Sequence, residues 1–353
     1  MKIAPLRLVF GFVVLFACGS KEPVPAPAAA PAPTIPSQGH TGIAPEAPSI
    51  VENRTFHSDA LGVDKTYVVY LPIDYATNPD KKWPVFYYLH GLGGDEHSWI
   101  KGGQLDKVAD QLHLDAIIVM PDGDDGFYAD SDKPVDYDAC MKDGTGLFAP
   151  QLKNPKKTCV KHSSYETYIV KELLADVDGH YRTNASGAAR GIAGMSMGGL
   201  GAWGLALRHP ELFAAAASHS GAIGLVYQGP RPYVAGHPKD VTFANAPKPG
   251  SSGNDLVDWV TGIYGHDKAN WVAHDPELLI AKAEPGKPAL YLDCGTEDEF
   301  HFFDQAAYVH DVLLARHIEH AYFIGAGNHS FKFWAPREVE SLKWLQAHVA
   351  RPS

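Results

Sequence analysis

The sequence predicts a doubly wound α/β domain with a mostly parallel sheet. Three observations predict it. Continuous apolar runs such as Val85–Leu89 and Ala116–Met120 are of the kind buried on both faces of a parallel sheet. Helix-period segments separate them. The pentapeptide Gly194-Met195-Ser196-Met197-Gly198 stands where a short apolar strand would turn sharply into a helix. Such alternation lets one chain cover both faces of a single sheet. The 353 residues, 45% hydrophobic and 20% charged, suffice for a large core.

The first residues stand apart from that core. Lys2 and Arg7 precede the apolar run Leu8–Ala17, the layout of an export signal over residues 1–17 and too short to span a bilayer. Leu15-Phe16-Ala17-Cys18-Gly19 resembles the lipobox of bacterial lipoproteins, which implies a lipidated Cys18; Gly19 in place of Asp implies sorting to the outer membrane. From Cys18 to residue 49 Pro and Ala dominate, as expected of an extended tether, so the folded domain should run from 50 to 353. Removing residues 1–17 takes away two basic groups and no acidic one, moving the net charge from -11 to -13. That acidity argues against nucleic acid or anionic headgroups as partners and leaves the lipid anchor as the membrane contact.

Within the domain, Val51–His57 and Lys65–Leu71 read as antiparallel leading strands around the turn Ala60-Leu61-Gly62. Helical periodicity marks Leu105–Leu112 and Tyr165–Tyr181. A strand enters the Ser196 turn, and the helix after it stops at Pro210. Further strands are expected at Phe213–Ser218, Pro288–Leu292 and His320–Ile324, before a closing helix at Arg337–Val349. Two irregular stretches, Asp122–Ser163 and Gly221–Gly286, should pass over the carboxyl edge of the sheet and shape the substrate site; the second holds helices at Asp255–Tyr264 and Asp275–Ala283. Cys140 and Cys159 bracket a loop and, in an oxidising compartment, should form a disulfide. Cys294, beside an apolar strand, reads as a small inert core residue.

A serine becomes a nucleophile when a base takes its proton and an acid orients that base. In a doubly wound hydrolase the chain order is Ser, acid, His. Ser196 is the nucleophile candidate, and His329, in the Gly-rich turn after the last strand, is the base. Asp298 is the acid candidate, with Glu297 and Asp293 as alternatives; Asp293, at the strand end, reads as a turn cap. An oxyanion hole needs two backbone N–H groups, for which Met197 and Leu92, in the loop His90-Gly91-Leu92-Gly93-Gly94, are the candidates. Trp99, Phe127 and Tyr128 read as packing residues, an aromatic platform at the mouth being the alternative. Asp124 and Asp125 read as solvated turn carboxylates rather than a cation site. His317 and His320 lack a third ligand partner and read as surface, so no metal site is expected.

At these residues the chain resembles the esterase branch of the α/β-hydrolases, which holds S-formylglutathione hydrolases of the esterase D type, feruloyl and acetylxylan esterases, and mycolyltransferases. The resemblance covers most of 51–350 and rests on the His90–Gly94 loop, Pro121-Asp122-Gly123, Tyr165-Glu166-Thr167-Tyr168, the Ser196 pentapeptide with Gly199, the Asp293–Asp298 segment, and His329 with Trp334. It implies the α/β-hydrolase fold and carboxylic-ester hydrolysis through an acyl-serine, without metal or organic cofactor. Export fits an extracytoplasmic ester, such as a carbohydrate-linked acyl or feruloyl group, better than it fits S-formylglutathione. The alternatives are acyl transfer of the mycolyltransferase type, thioester hydrolysis, peptide hydrolysis and a non-catalytic binding lipoprotein.

Overall fold

The computed structural model describes residues 48–131, 134–143, 155–227, 229–236 and 255–351. The expected export signal, Cys18 and the Pro/Ala tether up to residue 47 lie outside them, as do parts of both irregular stretches. Eight strands form one sheet: β1 (Ile50–Ser58), β2 (Val63–Leu71), β3 (Val85–Leu89), β4 (Ile117–Pro121), β5 (Arg190–Met195), β6 (Ala215–His219), β7 (Ala289–Gly295) and β8 (His320–Gly325), in the order β1-β2-β4-β3-β5-β6-β7-β8. The first two pair antiparallel as expected, Ile50 facing Leu71 and Ser58 facing Val63. β2 joins β4 antiparallel, and the strands from β4 to β8 are all parallel.

Period-2 alternation divides the central strands between two cores. Val85, Tyr87 and Leu89 face the layer that holds the helix Met197–Arg208 through Leu200 and Trp203. Phe86 and Tyr88 face the layer that holds Leu342 and Leu345 of the helix Phe331–His348. Every residue of β3, β4, β5 and β6 is buried; β3 and β4 accordingly read as unbroken apolar runs, while β5 and β6 also bury Arg190, Ser218 and His219. Among the described residues no helix is long and apolar enough to cross a membrane.

The strand order places the site. From β3 the chain moves outward to β4, then returns to the other side of β3 as β5 and continues toward β8. The connections diverge at the carboxyl ends of β3 and β5, and such a switch point opens a crevice. The His90–Gly94 loop and Ser196 follow those two ends.

Three of the departures from the expected boundaries have clear physical reasons. β7 runs on to Gly295 because Cys294 and Gly295 keep pairing with Ile324 and Gly325. The closing helix starts at Phe331, six residues before Arg337, with Pro336 inside it; the proline forfeits one i→i−4 bond without ending the helix. The stretch expected as Asp275–Ala283 is a helix at Pro276–Ile280, preceded by a separate helix Lys268–His274. Asp275 caps the later one, its carboxylate accepting from Glu277 N–H at 3.0 Å.

Candidate active site

Ser196 is the N-cap of the helix Met197–Arg208 and sits at φ 54°, ψ −117°, a conformation costing of order 1–3 kcal/mol. The surroundings over-determine it. Its N–H donates to His219 O at 2.9 Å, and its carbonyl accepts from Gly199 and Leu200 N–H at 3.0 and 3.1 Å. A Cβ on Gly194 would lie 2.1 Å from Gly198 O, and one on Gly198 would lie 2.3 Å from Leu89 O, so this turn demands both glycines.

His329 Nε2 lies 2.8 Å from Ser196 Oγ, and His329 Nδ1 lies 2.6 Å from Asp298 Oδ2. A carboxylate can only accept, so Nδ1 carries the proton and Nε2 is left to accept from the serine hydroxyl. Asp298 is buried; Oδ1 accepts Phe300 N–H at 2.9 Å, and Cys294 Sγ stands 3.6 Å from Oδ2. The imidazole is walled edge-on by Phe300, Phe302 and Trp334. Glu299 Oε2 accepts the backbone N–H of His329 at 3.1 Å, which fastens one loop to the other. A bond from Glu299's own N–H, and after it the bond from His329 N–H, lowers the pKa of the Glu299 carboxyl.

The other acid candidates do not meet His329. Glu297 is exposed. Asp293 is buried at the end of β7 and is no turn cap: its carboxylate takes His219 Nδ1 at 2.9 Å, Tyr291 OH at 2.8 Å and Arg337 Nε at 3.2 Å. The sheet pairing that extends β7 is what commits Asp293 to the interior.

The loop after β3 backs onto the serine. A Cβ on Gly91 would lie 3.3 Å from Ser196 Cβ, and Leu92 lines the same cavity as Ser196 and His329. Met197 opens the helix, where the first N–H groups lie outside the i→i−4 ladder and carry the positive end of the dipole. The loop is braced from β4. Gly123 N–H donates to His90 Nε2 at 3.0 Å, so the other ring nitrogen donates to Gly91 O at 2.8 Å; Asp125 Oδ1 accepts Gly93 N–H at 2.7 Å.

Over the serine lies a cavity of about 390 Å³ whose walls are apolar, with Leu92, Trp259, Phe300, Phe302, Phe331 and Trp334 among them. Trp99, Phe127 and Tyr128 are core residues at 1%, 0% and 2% exposure, so the aromatic surface at the mouth comes from other residues. Cys140 and Cys159 form a disulfide, and Cys294 is buried and free. Asp95, Glu96 and His97 bring three potential ligand atoms within 4.8 Å of one another, but Lys157 Nζ already occupies Glu96 at 2.5 Å.

The esterase family, described as "Putative esterase", matches residues 58–345. The chain belongs to this family. An esterase of Mycobacterium tuberculosis is 32% identical over 173 residues, 48% of this chain and 32% of the relative, so the match spans about a third of that protein's length. An acetyl esterase of Caldicellulosiruptor saccharolyticus is 21% identical over 302 residues, 82% of this chain and 96% of the relative. Among solved structures, a fluorophosphonate-binding serine hydrolase of Staphylococcus aureus superposes with a TM-score of 0.61 at 22% identity, covering 85% of this chain and 99% of its own. A ferulic acid esterase does so with 0.60 at 20% identity, covering 85% and 98%. These structures share the α/β-hydrolase fold with the chain.

In this esterase-family chain, sequence reasoning missed the charged base beneath the His90–Gly94 loop. Asp124 is not solvated: it is buried, and Lys65 Nζ, itself 1% exposed, lies 2.8 Å from its Oδ2 and 3.3 Å from Asp122 Oδ2. Burial, with Asp122 beside it, pushes the Asp124 carboxyl up to about 6 against the pull of Lys65. The available signal was Lys65 itself, a lysine at an inward position of a half-buried strand. His320, read as surface, hydrogen-bonds His310 at 2.7 Å.

Proposed function

We propose that this chain is a serine carboxylic-ester hydrolase in which Ser196 attacks the ester carbonyl, His329 takes and returns the proton, and Asp298 orients His329. The observation that carries the reading is the hydrogen-bonded chain Ser196 Oγ, His329 Nε2, His329 Nδ1, Asp298 Oδ2, opening on an apolar cavity. The N–H groups of Leu92 and Met197 would receive the oxyanion, a term worth about 3 kcal/mol per donor. The proton taken from Ser196 goes from His329 to the departing alcohol, leaving the acyl-serine; water, deprotonated by His329 in turn, then releases the acyl group as the acid and restores Ser196. The apolar walls suit an acyl part with little charge, and an aromatic acyl group such as the feruloyl group of a polysaccharide fits both the aromatic lining and the kinship with feruloyl esterases. Export and lipidation at Cys18 would set the enzyme in the cell envelope, facing such esters.

The purified chain should hydrolyse short p-nitrophenyl esters and be labelled by a serine-directed fluorophosphonate, and Ser196→Ala should do neither. An unmutated chain that neither turns over any ester nor labels would sink the proposal. For the anchor, Cys18→Ser should move the protein from the membrane fraction to the soluble fraction; equal release of both forms would overturn it.

A further inference from the structure

Glycine-rich backbone does not hold its own N–H vectors still, so the His90–Gly94 loop depends on what lies beneath it. Part of that support arrives from a distant piece of chain. Lys157 lies in the short helix Pro155–Thr158, two residues before Cys159, whose disulfide to Cys140 joins it to the helix Tyr137–Asp143. Its ammonium reaches Glu96 Oε2 at 2.5 Å and Asp122 Oδ2 at 3.4 Å. Asp122 has a second cation in Lys65. Glu96, at 4% exposure, has beyond Lys157 only His97 at 3.2 Å among the described residues, and a histidine pairs only when protonated.

We propose that Lys157, held in place by the Cys140–Cys159 disulfide, is a positioning residue for the oxyanion loop. The inference rests on Leu92 being an oxyanion donor. Without the ammonium, Glu96 is a nearly buried carboxylate lacking a permanent counter-charge, and such a group turns toward water. It cannot turn alone. Ser98 N–H donates to Asp95 O at 3.0 Å and Asp95 N–H donates to Ser98 Oγ at 2.9 Å, so the 95–98 turn moves as one piece; Gly94 N–H, bonded to Gly91 O at 3.0 Å, carries the movement to Leu92. The disulfide matters because a four-residue helix with no anchor would not hold a lysine at this point.

The test measures p-nitrophenyl butyrate hydrolysis and the rate of fluorophosphonate labelling, with circular dichroism confirming the fold of each variant. Lys157→Met should lower kcat about 10- to 100-fold and leave KM within about twofold, as expected when a group acting in the transition state is misplaced. Lys157→Arg should retain most of the rate. Glu96→Gln/Lys157→Met should recover most of it, because a neutral amide needs no cation. Cys140→Ala/Cys159→Ala should lose rate as Lys157→Met does, and adding Lys157→Met should cost nothing further. Wild-type kcat in Lys157→Met, no recovery in the Glu96→Gln double variant, or losses that multiply would each overturn the proposal. An unmutated chain that fails to label would instead remove the esterase reading itself, which keeps the two failures apart.

Discussion

Two serine–histidine–aspartate chains occur in this fold, and one of them, the proposed triad, borders a cavity while the other is buried. In the first, Ser196 Oγ, His329 and Asp298 are linked at 2.8 and 2.6 Å beside a cavity. In the second, Ser341 Oγ, His219 and Asp293 are linked at 2.9 and 2.9 Å with every member buried. The residue types and spacings nearly coincide. What differs is unspent capacity: Ser341 shares its hydroxyl with Tyr88 OH and Glu338 O, and Asp293 is also claimed by Tyr291 and Arg337. Ser196 sits in a strained turn with its Oγ toward open space, whereas Ser341 lies within a helix. A hydrogen-bonded triple becomes a candidate triad through access and through the absence of competing partners. The buried chain has another use, since the carbonyl of His219 holds the N–H of Ser196.

The largest expected effect breaks the comparison at the serines. Ser196→Ala should lower kcat by about 10⁴-fold or more, while Ser341→Ala should leave kcat within about threefold and cost roughly 1–2 kcal/mol of stability. Ester turnover beside urea unfolding of both variants measures this, and a comparable kinetic loss in Ser341→Ala would refute the division of roles. Next come the acids. Asp298→Asn should reduce kcat by about 10⁴-fold through the wrong imidazole tautomer with little change in unfolding midpoint. Asp293→Asn should do the reverse: it breaks a buried charge cluster, at about 3–5 kcal/mol, while the folded fraction keeps most of its rate. A larger rate loss from Asp293→Asn would reassign the acid.

The comparison also marks where the sequence could be read and where it could not. That Ser196, His329 and Asp298 meet is legible because each follows a strand end in a fixed order, and topology brings strand ends to one edge whatever the loops do. β3 and the β1–β2 pair were legible from local pattern. The place of Asp293 is not legible locally, because it depends on β7 running three residues past its apolar core and on Arg337 arriving from the closing helix, a contact made across 44 residues of chain. The same reason hid the Lys65, Asp122 and Asp124 base: a buried ion cluster assembled from β2 and a later loop leaves no local periodicity. The aromatic walls of the cavity come from a helix in the second irregular stretch (Trp259), from the loop after β7 and the first residue of the helix that follows it (Phe300, Phe302), and from the first turn of the closing helix (Phe331, Trp334), so no single segment announces them.

The smallest effect sharpens the contrast, because it should touch stability and leave catalysis alone. Glu338 lies three residues before Ser341, fully buried, with neither carboxyl oxygen hydrogen-bonded among the described residues. Burial, aided by Asp106, pushes its carboxyl up to about 9 from an ordinary 4.5. The sign follows from linkage. Between about pH 5 and 9 the native state keeps a proton that the unfolded state has released, so stability declines as pH rises, by at most about 1.4 kcal/mol per unit from this group. Glu338→Gln cannot titrate and should remove that part of the decline, so its thermal midpoint falls less from pH 6 to pH 9 than that of the unmutated chain. Burial also raises Asp275 to about 8, and its slope, of the same sign, is common to both proteins and cancels in the difference. Parallel midpoint curves would show that Glu338 is ionised or hydrated in the native state. A changed kcat at pH 7 would show instead that the buried serine chain and the open one are coupled through the closing helix.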